Sequence, residues 1–325
     1  MNRKIVANTL ALFCVFVWGT TFIFTKVLLH SFDPVIILIY RLLISLCFLF
    51  MLSPKIFRLK RRIDEFFYIG AGASGITFYF LFENFAIKYT SASSVGIIVS
   101  LAPMFTYISC AIVFRETKIH LNFIIGFLIA ISGIVLLSLD SLKNTSQIDV
   151  RGIIYAIIAM ICWGIYSCFV KKINSLGYVG IGSTRKIMYY GLLFLIPLYF
   201  ILEGNFNFDA FKSYKLVMDI LFLGIVASAL CFVLWNYAVL NVGPVKCNIY
   251  LYLSPAITVV ASAIVIHEKI TVIIFFGLIL SILGLLISSD IWFKKKLKEI
   301  NINGNIDIGK GEADERNTCE DEGNL

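Results

Sequence analysis

Three charged side chains, Lys26, Arg41 and Glu83, stand inside long apolar runs, where an unpaired charge is costly. If those runs are helices that rise about 1.5 Å per residue, Arg41 and Glu83 lie at similar depths below one end of the bundle. This placement allows a structural ion pair, with Lys26 extending toward water, or a gate or docking point for a substrate carboxylate. A proton-coupling function for Glu83 is a third alternative, which the isolation of that carboxylate disfavours.

Two tryptophans, Trp18 and Trp163, fall about midway along their apolar runs. Tryptophan prefers the interfaces of a bilayer, so an indole at mid-depth needs another explanation. One interpretation is that both rings line a central cavity and point their N–H groups at a substrate. The other is that each ring only packs between helices, beside the glycine that follows it.

Further candidates are Tyr79 and Asn84 as substrate-binding residues and two prolines as hinges. Tyr79 is otherwise a core aromatic residue, and Asn84 could equally cap a helix or bond between helices. Pro103 and Pro255 each lie about ten residues into an apolar run, where proline removes a backbone hydrogen bond and kinks a helix. We therefore expect a bend at mid-depth, either as static shape or as a hinge.

Motifs for other kinds of chemistry are missing from the sequence. The three histidines are far apart, the eight cysteines form no CxxC pair, and neither a Walker lysine nor an HExxH motif occurs. We therefore expect no catalytic residues, no metal, no cofactor and no disulfide framework.

The composition indicates a membrane protein. Of the 325 residues, 59% are hydrophobic and 15% are charged, whereas soluble domains have about 45–50% apolar and about 25% charged residues. A helix needs about 20 mainly apolar residues to cross a bilayer, and only helices are plausible here because lipid leaves no partner for backbone groups. Ten runs meet this need: 5–28, 34–52, 66–87, 92–114, 120–139, 152–172, 183–202, 216–240, 244–266 and 271–291.

Lysine and arginine set the orientation of these spans. With the N-terminus inside, fifteen of them fall on the cytoplasmic side and six on the other, so both termini are expected in the cytoplasm. Residues 292–325 form a basic and then acidic segment that reads as a disordered tail. Bases that sit in short clusters between apolar runs do not indicate nucleic-acid binding.

The chain contains an internal repeat. Trp18-Gly19 recurs as Trp163-Gly164 after 145 residues, and Lys26 matches Lys171 at the same offset. At an offset of 152, the matched pairs are Asn84/Asn236, Pro103/Pro255 and Glu116/Glu268. At an offset of 151, Gly126 and Gly133 match Gly277 and Gly284, which predicts close helix contact, within the chain or at a dimer interface. Each copy holds five spans, an odd number, so the second copy enters the membrane from the opposite side.

These residues resemble the EamA family of the drug/metabolite transporter superfamily. The resemblance rests on Val17 to Phe22, Tyr40-Arg41 and Asn84 to Glu116, with second copies at Cys162 to Gly164 and Asn236 to Glu268. It covers roughly residues 5–290. It implies ten helices, cytoplasmic termini, a cavity between the halves, and transport of amino acids or related small metabolites, often outward. Glu83 aligns with Trp235, so a cavity carboxylate is expected from one copy alone.

The expected fold is an all-α membrane protein of ten transmembrane helices in two inverted five-helix repeats. The first repeat covers 1–139, an inter-repeat loop 140–151, the second repeat 152–291 and the tail 292–325. The expected function is secondary transport of an amino acid or related metabolite across the cell membrane by alternating access, as a monomer or homodimer. Alternatives are a nucleotide-sugar or triose-phosphate carrier, which needs several cationic groups in the cavity, and a membrane-embedded enzyme acting on a lipid-linked substrate.

Overall fold

The computed structural model describes residues 3–55, 57–114, 121–143, 149–242, 247 and 250–288. Every regular element in these ranges is helical. The tail and Glu116 lie outside them. The helices are α1 (Arg3–Leu28), α2 (Pro34–Leu52), α3 (Arg62–Tyr89), α4 (Ala92–Val99 and Ala102–Phe114), α5 (Leu121–Lys143), α6 (Val150–Ser175), α7 (Ile181–Ile201), α8 (Tyr214–Val242), α9 (Ser254–Val265) and α10 (Val272–Ser288).

Six of these helices are long and apolar enough to cross a bilayer by length and composition, and three shorter apolar helices accompany them. Large apolar side chains cover the outside of the bundle, for example Phe16, Leu128 and Phe200. An apolar exterior around a core that is also apolar is the pattern of a protein whose solvent is lipid. At the loop end of α6, Asp149 caps the helix, and its hydrogen bonds from Arg151 hold the pKa of the Asp149 carboxyl below its usual range.

The two five-helix halves pack across each other in a reciprocal way. Helix α1 of the first half lies against α8 and α9, while its counterpart α6 lies against α3 and α4. In the same way, α2 of the first half packs against α8 of the second half, and its counterpart α7 packs against α3 of the first half. The contact pattern therefore maps onto itself when the halves are exchanged, as the inverted repeat of the sequence predicts.

The matched glycines bring α5 and α10 together inside one chain. A β-carbon built at Gly284 would lie 2.5 Å from the Gly126 carbonyl oxygen and 2.5 Å from the Ala130 nitrogen, and one at Gly133 would lie 2.9 Å from the Gly277 oxygen. The seven-residue glycine spacing therefore makes a close contact between α5 and α10 rather than an interface between two chains.

Helices α3 and α8 each contain a widened π-helical segment, Gly72–Phe78 and Phe222–Leu230. Both begin where a partner helix approaches closely. A β-carbon at Gly72 would lie 2.8 Å from the Ile187 oxygen, and one at Gly224 would lie 2.6 Å from Ile44. Such segments interrupt the α-helical hydrogen-bond pattern and are frequent at functional sites. The apolar periodicity of these runs did not indicate them.

The two prolines stand at breaks between helical segments rather than in the interior of continuous helices. Helix α4 is interrupted at residues 100–101, and Pro103 is the second residue of the segment that follows. Pro255 holds the same place in α9, after a 3-10 turn at Leu251–Leu253. Proline is favoured at a helix start because its missing N–H would have no partner there. The expected mid-helix bends are therefore interruptions of the helix.

The α5–α10 contact predicts a steric effect on stability. Gly284→Ala should lower the free energy of unfolding by about 1–3 kcal/mol, because the new methyl group meets backbone atoms that cannot move aside. Thermal unfolding of the purified protein in detergent measures this. Leu283→Ala, at a neighbouring exposed position, is the control and should leave the melting temperature nearly unchanged. A Gly284→Ala protein as stable as the parent would contradict the close contact.

Candidate functional site

A cavity lies in the middle of the bundle, where α1 and α6 meet between the two halves. Its empty volume is about 510 Å³, part of it open to solvent. Both helix breaks contribute to its wall. Val99 and Ala102 flank the break in α4, Leu251 lies in the 3-10 turn before α9, and Ser254 is the first residue of α9. The other residues of the wall are Trp18, Thr21, Phe22, Arg41, Tyr79, Phe80, Glu83, Trp163 and Phe232.

The paired Trp-Gly motifs explain how the tryptophans reach this cavity. Their ring centroids are 6.2 Å apart in an edge-to-face arrangement. The glycines lie against the neighbouring helix: a β-carbon at Gly19 would be 2.9 Å from Ile257 of α9, and one at Gly164 would be 2.8 Å from the Phe105 oxygen of α4. The glycine thus lets the helices approach closely, while the adjacent indole forms the cavity wall.

The two indole N–H groups differ. Trp18 donates its Nε1–H to the Ala227 carbonyl oxygen at 2.9 Å, within the π-helical segment of α8. Trp163 is 6% exposed, and its Nε1 is buried without a hydrogen-bond partner among the described residues. The structure therefore separates two residues that the sequence treats alike.

Arg41 is 2% exposed and belongs to the cavity wall. Its Nε donates to the Ser228 hydroxyl, and its guanidinium carbon lies 3.9 Å from the centroid of the Phe80 ring, a cation–π contact. No nitrogen of Arg41 lies within 4 Å of an oxygen of Glu83. The direct ion pair considered from the sequence is not formed, because Ser228 and Phe80 hold the guanidinium instead.

Glu83 is 4% exposed and lies on the same wall. It accepts a hydrogen bond of 2.9 Å from the Tyr79 hydroxyl, one helical turn earlier. The Tyr79 ring in turn packs 5.0 Å from that of Trp163. Tyr79 thus joins the acidic group to the aromatic part of the cavity.

Lys26 is not part of the cavity wall. Its ammonium donates to the Ile87 oxygen at 2.6 Å and the Thr90 oxygen at 2.7 Å, at the C-terminal end of α3. A cation at a helix C-terminus satisfies free carbonyl groups and opposes the negative end of the helix dipole. Lys26, which is partly buried, thus extends to the end of α3 and forms no ion pair with Glu83.

Asn84 also lies away from the cavity. Its side-chain amide donates to the Pro34 oxygen at 3.0 Å, which ties α3 to the first turn of α2. Its counterpart Asn236 donates to Thr184 near the start of α7. Both matched asparagines therefore make bonds between helices, while the Asn84 Oδ1 is buried without a hydrogen-bond partner among the described residues. The substrate-binding assignment of Asn84 stays a prediction.

The two halves contribute different side chains to the cavity, although the fold is symmetric. Its charged groups come from the first half. The positions that match Tyr79 and Glu83 at the 152-residue offset are Cys231 and Trp235. Lys186, which matches Arg41, pairs with Glu65 at 2.7 Å, and neither of these two residues belongs to the wall. Among the described residues, the second half therefore contributes aromatic, apolar and hydroxyl side chains to the wall but no charged group.

Sequence reasoning did not single out Phe80 and Phe232, two aromatic residues of the cavity wall. Phe80 and Phe232 are identical residues at the 152-residue offset, with rings 6.0 Å apart on the cavity, so the repeat contained a signal for them. Ser228, which holds Arg41, is a small polar residue in an apolar run and had no such signal. In the described part of the chain, no group of three or more His, Cys, Asp or Glu is placed to hold a metal ion.

Comparison with known proteins gives relatives along nearly the whole chain. An uncharacterized transporter from Archaeoglobus fulgidus is 26% identical over 292 residues, covering 89% of this chain and 98% of that protein. A protein from Escherichia coli (strain K12), named a probable amino-acid metabolite efflux pump, is 27% identical over 310 residues, covering 89% and 95%. A probable terminal-alkyne amino-acid exporter from Streptantibioticus cattleyicolor is 24% identical over 197 residues, covering 61% and 64%.

A solved crystal structure superposes with a TM-score of 0.62 at 13% identity and covers 87% of this chain and 95% of that chain, which supports the fold. The model of the EamA-like transporter family matches this chain twice, over residues 5–139 and 150–290. Those two segments contain both copies of the repeat and all of the cavity wall. The chain therefore belongs to the EamA-like transporter family, and it is a multi-pass membrane transporter with ten helices in two inverted repeats, not an enzyme.

Proposed function

We propose that this protein is a secondary transporter that exports an amino acid or a related small metabolite across the cell membrane by alternating access. The observation that carries the proposal is the combination of charged and aromatic side chains in the cavity wall. The cavity wall combines a buried guanidinium and a buried carboxylate, from Arg41 and Glu83, with the aromatic rings of Trp163 and Phe232.

An amino acid fits this arrangement because it carries one charge of each sign beside an often apolar side chain. Arg41 can bind a carboxylate through its terminal nitrogens, since only its Nε is used by Ser228. Glu83 can accept from an ammonium group through Oε2, since only Oε1 receives the Tyr79 hydroxyl. Charges buried without a direct partner are costly, and a zwitterion would supply a partner to both.

The names of two relatives agree with this substrate class. The Escherichia coli protein is named for efflux of amino-acid metabolites and the Streptantibioticus cattleyicolor protein for export of an amino acid. Both names also support outward transport.

Alternating access is supported by the reciprocal packing of the halves. Two inverted halves that exchange conformations produce inward-open and outward-open states of similar energy around one site. The helix breaks before Pro103 and Pro255 lie on the cavity wall, so bending there would change the site and its access together. This supports the two prolines as hinges. A substrate shifts the equilibrium only through its different affinity for the two states.

The alternative carriers of nucleotide sugars or triose phosphates need several cationic groups around the bound phosphate. Arg41 is the cationic residue of the cavity wall in the described part of the chain. Lys26 bonds to α3 carbonyl groups and Lys186 pairs with Glu65. The geometry therefore favours a zwitterion over a phosphate.

The setting of the protein follows from its charges. We propose that both termini face the cytoplasm, because most loop lysines and arginines lie on the side of the N-terminus. Its partners are the small-molecule substrate and the lipid bilayer, and the unit is a monomer or homodimer. Nucleic acid is not among these partners, because the lysines and arginines form short clusters between apolar runs.

Transport in sealed vesicles tests the substrate class. Vesicles that hold the purified protein should accumulate labelled amino acids from a metabolite panel and should ignore phosphorylated sugars. Separate arms with an imposed pH gradient or membrane potential show whether transport is coupled to either. Flux of phosphorylated sugars without amino acids would contradict the proposal.

Removal of one charge tests the polar wall. Glu83→Gln keeps the shape and an acceptor for Tyr79 but removes the partner for an ammonium group, so amino-acid transport should fall at least about tenfold. Arg41→Gln should have a similar effect through the carboxylate. Asp209→Asn removes an exposed acidic charge outside the cavity and should transport normally. Normal transport by Glu83→Gln, at equal amounts in the membrane, would refute its part in binding.

The orientation can be tested by cysteine labelling. Asn205 and Arg58 are exposed loop positions, after α7 and after α2. With a membrane-impermeant maleimide, Asn205→Cys should react in intact cells, whereas Arg58→Cys should react only after permeabilisation. The parent protein, with its native cysteines, sets the background. The reverse labelling pattern would show that the termini face outward.

A further inference from the structure

We propose that the indole N–H of Trp163 binds the carboxylate of the transported substrate, while its counterpart Trp18 is a positioning residue that anchors α1 to α8. The inference rests on the proposed function and assigns different tasks to two residues that the repeat makes equivalent. It depends on the different hydrogen bonding of the two indoles.

The Trp18 N–H is already used. Its bond to the Ala227 oxygen, 2.9 Å long, connects α1 of the first half to the π-helical segment of α8 in the second. A donor engaged in such a bond would have to break it before it could bind a substrate. The Trp18 ring still forms cavity wall, but its polar atom faces the protein.

The Trp163 N–H lacks the equivalent bond for a reason that the sequence contains. The position that matches Ala227 at the 152-residue offset is Gly75, in the π-helical segment of α3. The Tyr166 ring occupies the space beside Gly75, since a β-carbon there would lie 2.1 Å from its Cδ2 atom. At the 145-residue offset, the counterpart of Tyr166 is the much smaller Thr21. The larger Tyr166 at the position of Thr21 thus accounts for the absence of a bond from the Trp163 N–H to the backbone of α3.

An unpaired buried donor is costly, and buried N–H groups in native proteins nearly always have a partner. Trp163 belongs to the cavity wall, its Nε1 is buried, and the Tyr79 and Tyr166 rings pack 5.0 Å and 5.1 Å from its ring. These rings fix the indole, so the N–H is held ready for an acceptor that arrives through the cavity.

The acceptor in an amino acid with an apolar side chain is its carboxylate. The ammonium group only donates, so it cannot pair with the indole. Arg41 is the charged donor among the described residues of the cavity wall, and Ser228 uses only its Nε. A carboxylate has two oxygens and about four acceptor sites, enough for a guanidinium and an indole together.

Binding to the purified full-length protein tests this assignment. The probes are the twenty L-amino acids, each beside the amine that it forms by loss of the carboxylate, measured by calorimetric titration. Trp163→Phe keeps an aromatic ring but removes the N–H, and it should weaken binding of the amino acids about tenfold while leaving the affinity for the amines nearly unchanged. Replacement of Trp163 by benzothienylalanine, which exchanges the N–H for sulfur in a ring of nearly the same shape, should do the same.

Matched variants provide the controls. Trp235→Phe removes an indole that packs 5.0 Å from Trp18 and is not part of the cavity wall. It should leave the ratio of amino-acid to amine affinity unchanged. Trp18→Phe should lower the melting temperature, since the bond to Ala227 is lost, without changing that ratio.

The results separate the two proposals. Equal losses for amino acids and amines in both Trp163 variants, or no loss in either variant, would overturn the assignment of the indole and leave the transport function standing. No binding of any amino acid to the parent protein would instead refute the proposed substrate class, and the assignment would fall with it.

Discussion

The close approach of helices at Gly19 and Gly164 is the constraint on which the rest of the structure depends. At both places a β-carbon would collide with the neighbouring helix, Ile257 in one case and the Phe105 carbonyl in the other. Because the helices touch there, the preceding tryptophans must turn toward the interface of the two halves. Both indoles form part of the cavity wall, and the charged residues of α2 and α3 add to it.

Much of this architecture could be predicted because helices that cross a membrane require long apolar runs, which are easy to recognise in a sequence. Apolar run length predicts helices when backbone groups have no other partner, and the matched tryptophans and prolines revealed the duplication. The π-helical segments at Gly72–Phe78 and Phe222–Leu230 left no such pattern, since they change the hydrogen bonding without changing which residues are apolar. The prolines were found, but their place at a segment start depends on where the preceding turn ends.

The site was harder to predict than the fold, because polar residues in a membrane have several ways to satisfy themselves. Lys26 and Asn84 both stand in apolar runs, as Arg41 and Glu83 do, yet they bond to the ends of neighbouring helices. Only three-dimensional neighbours separate these cases. The same applies to Trp18 and Trp163, which match in the repeat. The residues one helical turn later differ, Thr21 after Trp18 and Tyr166 after Trp163.

The seam between α5 and α10 has a mechanical consequence. The glycines of each helix lie close to backbone atoms of the other helix there, and close-packed surfaces of this kind do not deform gradually. Sliding of one helix along the other would drive Gly126, Gly133, Gly277 and Gly284 out of register with bulkier residues. Any large relative movement of the two halves must therefore be a rotation about the α5–α10 contact. The displacement is then largest on the opposite side of the bundle.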